Sequence, residues 1–555
     1  MSSALPQIEH FVFLMLENRS FDNLLGWLYQ ENDRPRYIIA SPQQQDMAFQ
    51  GLAPETYFNC FEGDPTQHFV KRGTRIWDTP NTDPHEPHQH VNLQLFDYLP
   101  RLVSMTNQPV PGQQPTMGGF LKDFLNSHAG HLAPACDEPN PVGALARALS
   151  RPLSRDEALQ IMETYSPEQL PVINGLAKAY AVSDQWFSSV PTQTMANRAF
   201  SVCGSSLGLL NNSLTELVNN QGFLFGLVPD RYQTRSNCQT LTENGYGSPA
   251  DWMIYHQSLE LDEFCLTRQA FNIPDAANHV APIGRFFDAI ERNALPSFSY
   301  LEPAWYNVLP PWTNGNSYHP PSDVVPGEQF LKKLYDALTR QPEIWRKTLL
   351  MITFDEHGGT YDHVPPPWGA QPPWGAGNPP PHPLEDGFPF DRFGVRVPTL
   401  LISPWINERT VFRSCTGVPY DHTSLVATIL KWKGIPKERW KMGARVDAAP
   451  TFEGVLSRTT PRTDSPKIEL SAEELRHLSQ MEAREVSPPT PMQLKLLPFV
   501  LQHASGNRLS ETELFAVMAE ILKDIDSSQS LIARVRDFIA RYDLPPSAYT
   551  GEPLK

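Results

Sequence analysis

Six apolar residues run without a break from Phe11 to Leu16, and the next two positions are Glu17 and Asn18. A short, uninterrupted run of aromatic and aliphatic side chains fits a strand covered on both faces, as in a parallel sheet. The pattern returns at Thr348–Phe354, which is closed by Asp355 and Glu356. Ala181–Asp184, Leu295–Pro303 (carrying Glu302) and Arg396–Trp405 read as further strands. Between them, apolar positions at helical spacing predict helices over Arg19–Leu28, Val91–Leu99, Leu121–Ser127, Pro171–Tyr180, Thr194–Cys203, Gly327–Arg340 and Leu425–Lys433. Strands alternating with helices make an α/β chain with a largely parallel sheet.

The texture changes near residue 458. Residues 458–468 read as a linker. Ser471 and Glu474 form a capping box ahead of a charged helix. Segments 492–504, 510–524 and 528–542 read as short amphipathic helices, whose leucine and isoleucine spacing suits a small bundle. The expected division is a catalytic domain over 1–457, the linker, and a C-terminal helical region over 469–555. Residues 30–115 are loop-rich and 130–170 form a Pro- and Ala-rich insertion; the chain holds 55 prolines in 555 residues.

Charge narrows the partners. A formal net charge of −16 argues against nucleic acid, whose phosphates need a basic footprint. It also argues against simple adhesion to anionic membranes. None of the six cysteines forms a CxxC pair, so a structural zinc site is not expected. The first residues show no basic segment followed by a cleavage site, and no apolar run reaches transmembrane length. The expectation is a cytoplasmic protein, or one exported by a route without an N-terminal mark.

The candidate chemistry lies at the strand ends, where open α/β sheets place it. Glu17, Asn18, Asp355 and Glu356 would give an oxygen-rich shell for one divalent ion, favouring Ca²⁺, Mg²⁺ or Mn²⁺ over Zn²⁺. Glu17 and Asn18 could equally cap the following helix. Gly358-Gly359 lets the backbone turn tightly beside a ligand. Thr194 opens a helix after Pro191, where the positive end of the helix dipole favours anions. It reads either as a nucleophile or as an ordinary N-cap. Within Asp83-Pro84-His85-Glu86-Pro87-His88-Gln89-His90, a site role falls to at least one of Glu86, His88 and His90. Arg198 could add a bidentate phosphate contact. Asp421-His422 is a helix cap that also suits a site-facing pair. Together these residues describe hydrolysis of a phosphoester through a covalent phosphothreonine, with a metal beside Thr194 to lower its hydroxyl pKa.

The motifs Glu17-Asn18-Arg19-Ser20-Phe21-Asp22, Thr194-Met195-Ala196-Asn197-Arg198, Asp355-Glu356-His357-Gly358-Gly359, Tyr361-Asp362-His363 and Tyr420-Asp421-His422-Thr423-Ser424 resemble the bacterial and plant phosphoesterase family. That family contains non-specific phospholipases C and a branch of acid phosphatases. The resemblance covers about residues 8–435. It implies an alkaline phosphatase-like three-layer sandwich and a metal held by Glu17, Asn18, Thr194, Asp355 and Glu356. It also implies Thr194 as nucleophile, with His319 and His256 facing phosphate or giving protons. The family often carries Asp-Pro-x-His where this chain has Asp83-Pro84-His85-Glu86, so the leaving-group acid stays open among Glu86, His85, His88 and His90. The chain also lacks the proline that many relatives have before Asn197. A phospholipase C acting on phospholipids, with peripheral membrane contact, and a broad acid phosphatase acting on small phosphoesters are the two enzymatic readings. A non-catalytic membrane- or partner-binding protein is the third.

Overall fold

The computed structural model describes residues 5–30, 32–97, 108–128, 153–210, 212, 234–257, 265–304, 315–381, 383–481, 497, 501, 505, 509–523, 533–535 and 537–538. Its centre is a nine-stranded sheet. In chain order the strands are β1 (His10–Leu16), β2 (Tyr37–Ile39), β3 (Ala181–Ser183), β4 (Trp252–His256), β5 (Val280–Pro282), β6 (Phe298–Leu301), β7 (Thr348–Phe354), β8 (Thr399–Ile402) and β9 (Thr410–Phe412). Across the sheet they lie in the order β2-β9-β3-β8-β7-β1-β6-β4-β5. β1 pairs in parallel with both β7 and β6. β8 alone is reversed, antiparallel to β7 and β3.

The register explains the sequence pattern. Phe11–Leu16 and the apolar residues of β7 are fully buried although their side chains alternate between faces. Both faces of the central strands are therefore covered, which makes three layers. β2 and β5 at the rims have three residues each and are partly open to solvent, so no long buried run marks them in the sequence.

The helices that position the site are α1 (Phe21–Leu25), α2 (His88–Phe96), α3 (Pro171–Ala179), α4 (Thr194–Cys203), α5 (Val325–Thr339), α6 (His422–Trp432) and α7 (Ala472–Met481). Ser20 caps α1, its Oγ accepting from the Asn23 N–H. Residues 458–468 do not hang loose. The Arg458 and Arg462 N–H groups donate to the Trp405 and Pro404 carbonyls, the Tyr335 hydroxyl donates to the Pro466 carbonyl, and Ile468 is buried. α7 follows and packs on α5. The expected helices 492–504 and 528–542 fall largely outside the described residues. Among the described residues, no helix is long and apolar enough to cross a membrane.

Candidate active site

β1 and β7 run side by side and end together, so Glu17-Asn18 meets Asp355-Glu356 with all four side chains fully buried. The chain turns at once. Asn18 takes the left-handed conformation (φ 53°), which asparagine tolerates. Its N–H donates to Asp355 Oδ1 at 3.0 Å, and that oxygen also accepts the Glu356 N–H at 2.7 Å. Glu356 Oε2 accepts the Gly358 N–H at 2.6 Å. Gly358 and Gly359 both have positive φ, and a Cβ on Gly358 would sit 2.2 Å from the Asn18 carbonyl oxygen. The two strand ends are thus locked at backbone contact, which requires glycine.

Thr194 is the first residue of α4, and Gln193 before it supplies no side-chain cap. Its hydroxyl lies 3.3 Å from Asn18 Oδ1 and 3.4 Å from Glu17 Oε2. It therefore joins the strand-end cluster instead of capping its helix. Asn197 fixes the approach. Its Nδ2 donates to the Val190 and Thr192 carbonyls, and its Oδ1 accepts the Val190 N–H.

Arg198 corrects the sequence reading. Its Nε donates to Glu17 Oε1 at 2.8 Å, its Nη2 bonds Glu17 and the Met15 carbonyl, and its Nη1 faces the Tyr300 hydroxyl. The fork is taken up inside the protein, so Arg198 positions Glu17 and is not a phosphate clamp. His88 is corrected likewise. Its Nδ1 bonds the Pro191 carbonyl at 2.7 Å, and its Nε2 faces Asn92 and Gln108. Burial, with Arg392 nearby, lowers its pKa to about 3. It is a neutral strut beneath the Thr194 loop. His90 pairs with Asp123 at 2.8 Å, and His85 sits against the His90 ring.

His319 and Glu86 are both buried and come together with Asp83, with a ligand atom of each within 4.8 Å of the others. His319 Nδ1 is 3.8 Å from Asp83 Oδ1. Two bonds fasten the His319 loop to the end of β1: the Glu17 N–H donates to the Ser317 carbonyl at 2.9 Å, and Arg19 Nε to the Tyr318 carbonyl at 2.7 Å. Glu86 is close enough to raise the Glu356 pKa electrostatically, second only to burial. His256 ends β4, buried on the same edge of the sheet but two strands from β1.

Three carboxyls meeting in a buried place is costly unless positive charge joins them. Burial raises the pKa of Glu17 and of Glu356 well above the ordinary carboxyl value, against Arg198 in the case of Glu17. Asp355 Oδ2 and Glu356 Oε1 are buried and accept no hydrogen bond. Arg198 Nε stands 3.6 Å from Asp355 Oδ2, and buried carboxyl oxygens without a hydrogen-bond donor, on a hard-donor set, fit a divalent cation bound by Glu17, Asn18, Thr194, Asp355 and Glu356.

A second network joins Asp22, Asp362 and His363, which stand in the motifs, to Arg396, which does not. Asp22 accepts the His363 N–H and Nδ1 on one oxygen and Arg396 on the other, and Arg396 also bonds Asp362. Asp22, Asp362 and His363 lie close enough to hold an ion, but Arg396 already bridges both carboxylates. His422 Nε2 bonds the Asp355 carbonyl at 2.6 Å, and Asp421 caps α6 and pairs with Arg445. The Asp22 contacts with His363 and Arg396 span more than 300 residues, and no local pattern marks them.

The profile of the phosphoesterase family matches residues 8–436. The chain belongs to that family. As a phosphoesterase it is a phosphoric ester hydrolase. Non-specific phospholipase C6 of Arabidopsis thaliana is 32% identical over 473 residues, covering 83% of this chain and 74% of the relative. Non-specific phospholipase C3 of the same plant is 30% identical over 475 residues, covering 84% and 76%. Phospholipase C A of Mycobacterium tuberculosis is 27% identical over 501 residues, covering 84% and 80%.

Proposed function

We propose that this phosphoesterase is a metal-dependent hydrolase of the phospholipase C type, which releases diacylglycerol and a phosphorylated head group through a covalent phosphothreonine. The observation that carries the reading is the Thr194 hydroxyl, set at a helix N-terminus within 3.4 Å of both Glu17 and Asn18. The phospholipase C names of the relatives support the lipid substrate. A divalent ion held by Glu17, Asn18, Thr194, Asp355 and Glu356 would supply positive charge that polarises a phosphoryl oxygen and lowers the Thr194 hydroxyl pKa.

The chain's own groups account for the proton movements. Thr194 Oγ1 forms the bond to phosphorus as the bond to the leaving oxygen breaks. Its proton passes to Glu17 Oε2, which lies 3.4 Å away and is left open because Arg198 Nε takes Oε1. His319, whose Nδ1 lies 3.8 Å from Asp83 Oδ1, protonates the leaving oxygen. The same histidine then takes a proton from the water that cleaves the phosphothreonine, and Thr194 recovers its own. Glu86 stands buried beside His319 and Asp83 in the same corner.

The test compares phosphatidylcholine with an aryl monophosphate, for the native chain and for Thr194→Ala. The expected result is turnover of the phospholipid, lost by a factor of about 10³ or more in the variant. Turnover of the monoester alone would make the protein a phosphomonoesterase. Full activity in Thr194→Ala would overturn the covalent mechanism.

A further inference from the structure

Helix α2 is buried along nearly its whole length, and its last turns carry a buried amide, Gln94. Such an amide is costly inside a protein unless each of its groups is bonded. Gln94 meets that condition with partners from three other segments. Its Nε2 donates to Asp123 Oδ2 at 2.7 Å and to the His85 carbonyl at 2.8 Å. A carbonyl can only accept, which fixes the way the amide faces. Its Oε1 is then turned to His357 Nε2 at 2.7 Å, and that nitrogen must carry a proton. Asp123 stands in the helix Phe120–His128, and its other oxygen takes His90 Nδ1 at 2.8 Å.

Two of these partners lead to the site. His357 follows Glu356 in the chain, and its Nδ1 lies 3.2 Å from Glu356 Oε2. His85 stands between Asp83 and Glu86, the two residues gathered with His319. The two sides meet at backbone distance. Gly359 has φ +64°, and a Cβ there would sit 2.7 Å from Pro84 Cβ, 2.9 Å from the His85 carbonyl oxygen and 3.3 Å from Gln94 Nε2. The segment Asp83–Glu86 therefore lies directly on the turn that follows Glu356, and the Gln94 amide is bonded to both.

We propose that Gln94 is a positioning residue, whose amide, oriented by Asp123, sets the His319 corner against the Glu356 turn. It touches no reacting atom. Through His357 it fixes the turn from which Glu356 projects, and through His85 it fixes Asp83 and Glu86 beside His319. Without it, the bonds that set the separation of the two sides are gone, and a misplacement of about 1 Å at a reacting centre costs about 10²-fold in rate. Its contribution to turnover rests on the roles of Glu356 and His319 proposed above.

Gln94→Leu keeps the bulk of the side chain and removes all three bonds. Affinity for Mn²⁺, measured by calorimetry on the full-length chain, should fall about 10–100-fold, the scale for a residue that orients a metal ligand, and kcat/KM should fall with it. Gln94→Glu keeps an acceptor for His357 but sets a carboxylate against Asp123 and the His85 carbonyl, so it should lose at least as much. The double variant Gln94→Glu/Asp123→Asn returns a donor to that contact and should recover at least half of the loss on a logarithmic scale. In the native chain, nitrogen NMR of the imidazoles, assigned with His357→Gln, should show His357 Nε2 protonated, a readout that does not depend on any Gln94 variant folding. A purely structural role would lower the denaturation midpoint and leave the Mn²⁺ affinity of the folded variants native. That result, an unprotonated His357 Nε2, a native chain without Mn²⁺ affinity, or a double variant no better than Gln94→Glu overturns the proposal. A chain that binds Mn²⁺ as expected but hydrolyses neither phosphatidylcholine nor an aryl monophosphate keeps Gln94 in its role and refutes the proposed function.

Discussion

Replacing Gly358 by alanine isolates how closely the two strand ends must approach. The added Cβ would sit 2.2 Å from the Asn18 carbonyl oxygen and 2.6 Å from its carbon, where ordinary contact begins at 3.4 Å. The Asn18 peptide must therefore retreat by about 1 Å, carrying a proposed metal ligand and the partner of Thr194 with it. A displacement of that size at a reacting centre costs about 10²-fold in rate. Gly358 also has φ +59°, which adds roughly 1 kcal/mol for any residue with a Cβ. Gly369→Ala is the control, because Gly369 has φ +88° but nothing within 4 Å of the Cβ position. Both variants should lose stability in thermal unfolding from backbone strain, and Gly358→Ala should lose more because its Cβ also meets the Asn18 backbone. Only Gly358→Ala should lose about 10²-fold in kcat/KM and bind the ion more weakly. Equal activity of the two variants would refute the claim that close approach at Gly358 places Asn18.

Three further outcomes follow from the cluster. Arg198→Leu leaves Glu17 buried without its guanidinium and should cost about 3–5 kcal/mol in denaturant unfolding; a loss under 1 kcal/mol would contradict the positioning role. Asn18→Ala should weaken metal binding and turnover together while the far-ultraviolet circular dichroism stays native. Because Glu17 and Glu356 have raised pKa values, ion binding should release protons and tighten as pH rises. Calorimetry in buffers of different ionisation enthalpy measures the release, and none at pH 6 would contradict the assigned ligands.

The two central strands were legible because they are covered on both faces, which writes an unbroken apolar run into the sequence. Thr348–Phe354 was bounded to the residue for that reason. The rim strands Tyr37–Ile39 and Val280–Pro282 have one face or an edge in solvent and leave no such mark. At the site, residues acting through their own position in a motif could be read: Glu17, Asn18, Thr194, Asp355 and Glu356 do converge on the strand ends. Residues whose role depends on what lies opposite them could not. Arg198 and His88 carry the chemistry of a phosphate clamp and a proton donor. Glu17 and the Pro191 carbonyl claim those groups from more than 100 residues away.

His88 sets an acid limit on the site. Its partners, the Pro191 carbonyl at Nδ1 and two side-chain amides at Nε2, suit the neutral ring with the proton on Nδ1. Its pKa falls from 6.5 to about 3 through burial and Arg392. A depressed histidine contributes stability that is complete above about 6.5 and is lost as pH falls toward 3, at about 1.4 kcal/mol per unit. That loss acts on the loop that carries Thr194, since the Pro191 carbonyl lies three residues before it. Acid should therefore loosen the nucleophile. Urea unfolding at pH 7, 6 and 5 tests this, because His88→Gln keeps a donor for Pro191 and removes the charge. The variant should lose about 1.4 kcal/mol less per unit below pH 6.5 than the native chain. If both lose stability in parallel, His88 is not the group that titrates. The strut beneath Thr194 would then have to be sought in Asn197, whose side chain holds the same loop without any charge to lose.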